Sequence, residues 1–347
     1  MCLFTRNQQP KVAKKDIRVL KCLRGGAGHY ETPHQNTQVT LGEPMVASPS
    51  TPDISYYTTD KMGRKVHSIN GGAIHAMLYG SNRSGNVQKV AIIPAGTEYW
   101  ISSFGRDIAA KQMIITEEQD YVPDVDFALV ILEDAPEIDG VRVADYFYSD
   151  GSFKHPSVEL RDTKPVGRVV GFHDGKPLIA ALNILKGAWE TQYSSKIGDK
   201  NFGYSNDAIK DFSGRQTTQA YKEMDEADKS RFEAFEACIN YGADNEDWYF
   251  PAAGEMTTAL DNALFLNAAA AVTGLGEFID DQWFWTCSQL TYRFYAWRCY
   301  LHDGYVGCYW DYKDCVYRVV PFFASFVDEK KKINKWRLLS RVKSLWR

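Results

Sequence analysis

Between Trp283 and Phe323 the chain reads WFWTCSQLTYRFYAWRCYLHDGYVGCYWDYKDCVYRVVPFF, where aromatic residues fill fifteen of forty-one positions and glutamate, methionine and asparagine do not occur. A strand with one solvated face alternates apolar with polar residues, and a strand buried on both faces runs as Val, Ile and Leu. This segment does neither. Tyr292, Tyr295, Tyr300, Tyr305, Tyr309 and Tyr312 are interleaved with Arg293, Arg298, His302, Asp303, Asp311 and Asp314. Tyrosine offers a large rigid contact area with a polar tip at low entropic cost, the property that enriches it in paratopes and interface hot spots. The pattern points to a recognition surface, with a tyrosine-rich core as the plainer alternative.

The residue types obey a second rule. A codon AAC or AAT altered only at its adenines yields Tyr, Cys, Arg, His, Asp, Leu, Phe, Ser, Gly, Val and Ala among others, but never Lys, Glu, Gln, Met or Trp. Between Thr286 and Val320 the unreachable types occur only at Gln289, Trp297, Trp310 and Lys313. Those residues are expected to form a fixed frame around a diversified set.

The frame Trp285-x-x-Ser288-Gln289, then Ala296-Trp297, Asp303-Gly304-x-Val306, Lys313 and Arg318-Val319-Val320-Pro321, ending in Ala324-x-Phe326, resembles the variable proteins of diversity-generating retroelements. The likeness continues upstream in Asp145-Tyr146-Phe147-Tyr148-Ser149-Asp150-Gly151, in Val169-Val170-Gly171-Phe172 and in Asp247-Trp248-Tyr249-Phe250-Pro251-x-x-Gly254-Glu255. It runs from near Val141 to Phe326, and it departs from the usual Arg-Val-Arg-Pro-Val ending at Val320. The resemblance implies the formylglycine-generating-enzyme branch of the C-type lectin fold, whose exposed C-terminal side chains are rewritten by error-prone reverse transcription. It also implies phage receptor binding or bacterial display, with a protein or glycan ligand on a cell surface. A homo-oligomer or a virion assembly is compatible with that role.

The fold class expected is α+β: a C-terminal C-type-lectin-like domain over 139–326, two helices on a twisted antiparallel sheet, preceded by a mainly β N-terminal domain over 1–120. Residues 121–138 bridge the two, and 327–347 form a basic amphipathic tail. In the N-terminal unit, strand-like runs begin at Lys14 and at Val87, and the turn Pro94-Ala95-Gly96-Thr97 leads into Glu98-Tyr99-Trp100-Ile101, which predicts a hairpin. The glycines Gly25, Gly26 and Gly28 read as a turn, since they lack the spacing of a phosphate-binding loop. Residues 44–52, with Pro44, Ser48, Ser50, Thr51 and Pro52, read as the loop of this unit. No residue pattern assigns the unit a chemistry, and attachment to a larger assembly is the expectation left for it. In the bridge, Pro123 and Pro136 enclose a strand-like run from Phe127 to Leu132. Helices are expected from Ser230 to Tyr241, with Phe232, Phe235, Cys238 and Ile239 on one face, and from Ala253 to Thr273, stopped by Gly274.

Charge and cysteine usage narrow the function classes. The net charge of −4 conceals a tail from Val327 with eight Lys/Arg against two acids, so +6 there leaves −10 elsewhere. The tail's Ile333, Trp336, Leu339, Val342 and Trp346 recur at helical spacing, which favours a docked amphipathic helix over nucleic-acid contact. The first residues lack an apolar signal region, so synthesis in the cytoplasm is expected, with release inside a particle on lysis. Cys287, Cys299, Cys308 and Cys315 have neither paired metal-ligand spacing nor the setting of a small disulfide scaffold, and they read as products of diversification.

An enzyme reading finds no constellation. The seven histidines are scattered without a ligand motif, and Cys308 and Cys315 lack the close spacing of the oxidase cysteine pair. The calcium and sugar motifs Glu-Pro-Asn and Trp-Asn-Asp are missing. Glu255, following Pro251 and Gly254 at a helix start, reads as a helix cap, and Trp248, Trp285 and Trp297 as supports of the variable loops. The expected function is therefore non-enzymatic binding without a cofactor. The displayed face is Leu290, Tyr292, Arg293, Phe294, Tyr295, Arg298, Tyr300, His302, Tyr305, Cys308, Tyr309, Asp311, Tyr312, Asp314 and Cys315. An oxidase of the formylglycine-generating type and a fixed adhesin or structural subunit are the alternatives.

Overall fold

The computed structural model describes residues 9–26, 29–31, 38–47, 57–59, 65–67, 73–79, 87–101, 107–158, 164–192, 196–198, 200–242, 247–277, 279, 282–302 and 305–324. The tail from 327 and residues 48–52 lie outside them. The architecture is α+β with mostly antiparallel sheets.

Ile17–Gly26 (β1), Pro44–Val46 (β2), Ile74–Met77 (β3), Val87–Ile93 (β4), Glu98–Ile101 (β5), Asp107–Ala110 (β6) and Gln112–Ile115 (β7) belong to one ten-stranded sheet. Its order is Lys11–Val12, β5, β6, β3, β1, β4, β7, β2. The β4–β5 hairpin expected from the turn at Pro94 is not formed. The turn itself is present, with Thr97 N–H donating to Pro94 O at 3.1 Å and Gly96 at φ 84°. Strand β4 instead pairs with the long β1, from Ile17 opposite Ile93 to Leu23 opposite Val87, while the shorter β5 lies between Lys11–Val12 and β6. Seven consecutive ladder pairs are available to β4 only against β1, and this outweighs the proximity of β5 in sequence. Pro44 and its neighbours, expected as loop, form an edge strand on β7, a position where proline's missing N–H is tolerated. Gly25 and Gly26, expected in a turn, instead end β1 paired with Tyr30 and His29, and Gly28 lies outside the described residues; at Gly25, with φ 98°, a Cβ would stand 2.1 Å from the His29 carbonyl oxygen.

The bridge is a helix rather than a strand. Asp124 Oδ1 accepts the Phe127 N–H at 2.9 Å and caps Val125–Glu133 (α1), which buries Phe127, Ala128, Ile131 and Leu132 along one face. A short apolar run fits a buried helix as well as a strand, and here the cap decides. Phe127 meets Tyr99 of β5 edge-on at 5.5 Å, so α1 joins the N-terminal sheet to the C-terminal half through one continuous apolar core.

In the C-terminal half, Tyr146–Phe147 (β8), Gly167–His173 (β9) and Lys176–Ala181 (β10) share a sheet with the later Trp248–Tyr249 and Phe322–Phe323. Leu185–Ala188 (β11) and Asn201–Phe202 (β12) contribute to the second sheet. The helices are Gly214–Lys222 (α2), Glu233–Ile239 (α3), Ala253–Asp261 (α4) and Ala263–Thr273 (α5). Strands Trp283–Leu290 (β13), Tyr295–His302 (β14), Tyr305–Tyr312 (β15) and Val316–Val319 (β16) complete the second sheet, ordered β11, β16, β13, β14, β15, with β12 parallel on β13. The expected helix from Ser230 is shorter, starting only after Phe232, though Phe232, Phe235 and Cys238 are buried as the periodicity requires. The expected helix over 253–273 breaks at Asn262, whose Nδ2 donates to the Val170 and Thr258 carbonyls at 3.1 and 2.9 Å. Gly274 ends α5 at φ 69°, as expected. No helix among the described residues is long and apolar enough to cross a membrane.

Candidate ligand-binding face

The β14–β15 hairpin pairs Tyr295 with Tyr312, Trp297 with Trp310, Arg298 with Tyr309 and Cys299 with Cys308. Side chains alternate across the sheet, so Trp297, Cys299 and Leu301 share one face. That face packs against α4, and all three residues are buried. The opposite face of β13 carries Trp285 and Cys287 into a second core with Trp189, Phe232 and Phe235. The sheet is thereby clamped between α4 on one side and α3 on the other.

The clamp is tied by residues of the expected frame. Trp297 Nε1–H donates to Phe202 O at 3.2 Å, and the Thr286 hydroxyl donates to Trp297 O at 2.6 Å. Gln289 donates through Nε2 to Ile197 O at 2.6 Å and accepts the Ile197 N–H at 3.1 Å. Trp285 Nε1–H reaches Cys315 O and Trp189 Nε1–H reaches Thr286 O, both at 2.9 Å. Lys313 is fully buried, its Nζ 3.9 Å from the Trp189 ring centre and 3.7 Å from Glu190. Burial pushes the Lys313 ammonium down to about 8, with Glu190 opposing the shift. Trp310 departs from the frame expectation. It lies on the edge strand β15 and is 39% exposed.

Around Trp310 the aromatic residues converge. Tyr295 meets both Trp310 and Tyr312 at 4.7 Å, Tyr309 stacks on Trp310 at 5.8 Å, and Phe294 meets Tyr295 edge-on at 6.5 Å. Arg293 lies over the Phe294 ring at 5.0 Å. Tyr292, Phe294, Tyr309 and Tyr312 are 70%, 40%, 54% and 48% exposed, and Arg293 and Asp314 are exposed as well. Among the displayed set this group forms a continuous aromatic surface with charges at its margin. Removing water from such rings is the main source of energy in interface hot spots.

The remaining expected residues divide differently. Arg298 is held rather than displayed: its guanidinium lies 3.6 Å from the Trp283 ring centre and 4.5 Å from that of Tyr317, and it pairs with Asp311 at 2.8 Å. Asp311 also accepts the Tyr317 hydroxyl at 2.7 Å. Burial, followed by that hydrogen bond, raises the Tyr317 phenol to about 12. Tyr300 is half-buried against Trp283 at 4.5 Å, and Cys315 is half-buried near Asp311. Two assignments to the displayed face are corrected. Leu290 is buried, because it ends β13 opposite Phe202 and enters the main core. Cys308 is buried and forms a disulfide with Cys299, which overturns the expectation that neither cysteine belongs to a disulfide. Their register, with Cα atoms 4.2 Å apart, brings the two sulfurs together, a pairing that loop spacing alone does not reveal. His302 and Tyr305 pair at the far end of the hairpin, and their side chains lie outside the described set. Trp283, Trp310 and Tyr317 were missed as contributors. For Tyr317 a signal existed, since it continues the alternation that passes through Cys315.

The arrangement offers contact area and fixed charges. Among the described residues no three of His, Cys, Asp and Glu converge as metal ligands. No protein-family model matches the chain, and neither a curated protein nor a solved structure matches it.

Proposed function

We propose that the chain is a hypervariable, non-enzymatic binding protein diversified by a retroelement. Its C-terminal half has a C-type-lectin-like arrangement, and it binds a protein or glycan on a cell surface, as in phage receptor binding or bacterial display. One observation carries this reading: three of the four unreachable residues, all but Trp310, are buried in the frame, while the exposed positions beside them are mostly reachable types. Gln289, Trp297 and Lys313 are buried and bonded, whereas Tyr292, Arg293, Phe294, Tyr309, Tyr312 and Asp314 are exposed. A surface that is rewritten repeatedly needs a support that is not, and helices α3 and α4 on opposite faces of the sheet supply one. The test is the coding sequence in a natural population. Substitutions are expected to concentrate between Cys287 and Cys315, in codons ending in C or T, with Gln289, Trp297 and Lys313 unchanged. Variation spread evenly along the gene overturns the reading.

One finding favours a fixed adhesin instead. The Cys299–Cys308 bond and the Arg298–Asp311–Tyr317 group each require particular partners at reachable positions, which random rewriting would separate. The same sequencing decides, because a fixed adhesin retains both pairs in every copy.

A further inference from the structure

A cleft of about 530 Å³ lies away from the aromatic face, between α1 and the segment around β8. Asp145, 4% exposed, lines it. One of its oxygens, Oδ2, accepts the Arg142 N–H at 2.9 Å, and the other, Oδ1, is buried without a hydrogen-bond partner. An unpaired buried acceptor forfeits its hydration without a replacement, so a group left in that state calls for an explanation. The backbone beside it is strained as well: Ala144, with a Cβ and no left-handed preference, sits at φ 75°. It is locked there by its N–H on Val169 O and by the Val169 N–H on Asp145 O, each at 2.8 Å.

His155 lines the same cleft and carries a second unpaired group. His155 Nδ1 accepts the Ser157 N–H at 3.2 Å and lies 2.6 Å from the Ser157 hydroxyl oxygen; with Nδ1 accepting both, the neutral ring carries its proton on Nε2. That Nε2–H is a buried donor without a partner. The cleft therefore presents one free acceptor and one free donor. Arg142 is paired with Glu137, burial and Arg142 favour the neutral imidazole, and burial raises the Asp145 carboxyl to about 6, so above that pH it is a buried carboxylate. Glu133 lines the cleft too. Leu129 and Phe153 supply apolar walls.

We propose that this cleft binds a small organic amine, with its ammonium on Asp145 Oδ1, an oxygen acceptor on His155 Nε2 and its apolar body against Leu129 and Phe153. The ammonium neutralises the buried carboxylate, which a sugar hydroxyl would not do and an organic acid would oppose. The site is independent of the aromatic face, so neither reading stands or falls with the other.

Calorimetric titration of the full chain with tyramine tests it, beside 2-phenylethylamine, which lacks the hydroxyl, and 4-hydroxyphenylacetate, which replaces the ammonium by a carboxylate. Tyramine should bind saturably, and the acid at least about tenfold more weakly, equivalent to about 1.4 kcal/mol. Asp145→Asn should weaken tyramine by a similar factor, and His155→Ala should remove its advantage over 2-phenylethylamine. If Asp145→Asn does not fold, the exposed Glu133→Gln should still lower tyramine affinity by about twofold, as expected for a solvated charge. No saturable tyramine binding to the wild type, equal binding of the acid, or unchanged affinity in folded Asp145→Asn each overturns the proposal.

Discussion

The covered and the open regions of the β14–β15 hairpin are built from the same kinds of residue and meet opposite fates. Towards α4, Trp297, Cys299, Leu301 and Cys308 are withdrawn from water, and the tryptophan nitrogen is satisfied by Phe202 O. At the open end and along the edge strand, Tyr309, Trp310 and Tyr312 stand in solvent beside the loop residues Tyr292 and Phe294. Trp297 and Trp310 are register partners on the same face, so neither composition nor alternation separates support from surface. What separates them is cover by a helix and position relative to the sheet edge.

Trp297→Ala gives the sharpest contrast. Truncating a buried aromatic costs about 3–5 kcal/mol, whereas the register partner Trp310→Ala, partly exposed, should cost clearly less. Thermal unfolding of the full chain compares them, and equal losses would erase the distinction between the two regions. The disulfide comes next. A cross-link of this kind contributes about 2–4 kcal/mol, so reductant should lower the unfolding midpoint of the wild type and leave a Cys299→Ala/Cys308→Ala double variant unaffected. A reductant-insensitive wild type would mean that the two thiols are not bonded in the folded protein.

Much of the support was legible in the sequence, and the reasons are physical. Trp248, Trp285 and Trp297 are large and buried, and Gly274 takes the left-handed conformation that ends α5. Partners were harder to read. The ladder of β4 with β1, the helical state of Phe127–Leu132 and the meeting of Cys299 with Cys308 depend on contacts that sequence spacing does not encode. Trp310 shows the limit of the codon rule. That rule tells which positions cannot be products of adenine change, but an invariant residue can serve the surface as well as the core.

The helix that covers the buried side has a titratable start. Glu255 opens α4, accepting the Ala252 N–H at 2.6 Å and the Tyr249 hydroxyl at 3.1 Å. Burial raises its carboxyl to about 8, with those two hydrogen bonds opposing the shift and Asp211 adding to it. A glutamate in the unfolded chain titrates near about 4.3, so between that pH and 8 the folded protein holds a proton that the unfolded chain releases. Stability from this group is complete below the unfolded value and is lost as pH rises through 8. The unfolding midpoint should therefore fall from pH 6 to 8 more steeply in the wild type than in Glu255→Gln, which can still bond Ala252 N–H and Tyr249. Parallel curves would show that Glu255 is ionised in the fold.

The smallest effect is expected where the hairpin faces water. Tyr292, Tyr309 and Tyr312 are about half or more exposed, and substitutions at such sites usually change stability by no more than about 0.5 kcal/mol each. Tyr309 stacks on Trp310, Tyr312 meets Tyr295 through its ring and a side-chain hydrogen bond, and the backbone of β15 remains paired to β14 without them. Replacing all three by Ser should therefore leave the unfolding midpoint close to that of the wild type while removing much of the aromatic area offered to a ligand. A loss comparable to Trp297→Ala would make the open end part of the core after all, and the aromatic face could not be rewritten without unfolding the sheet beneath it.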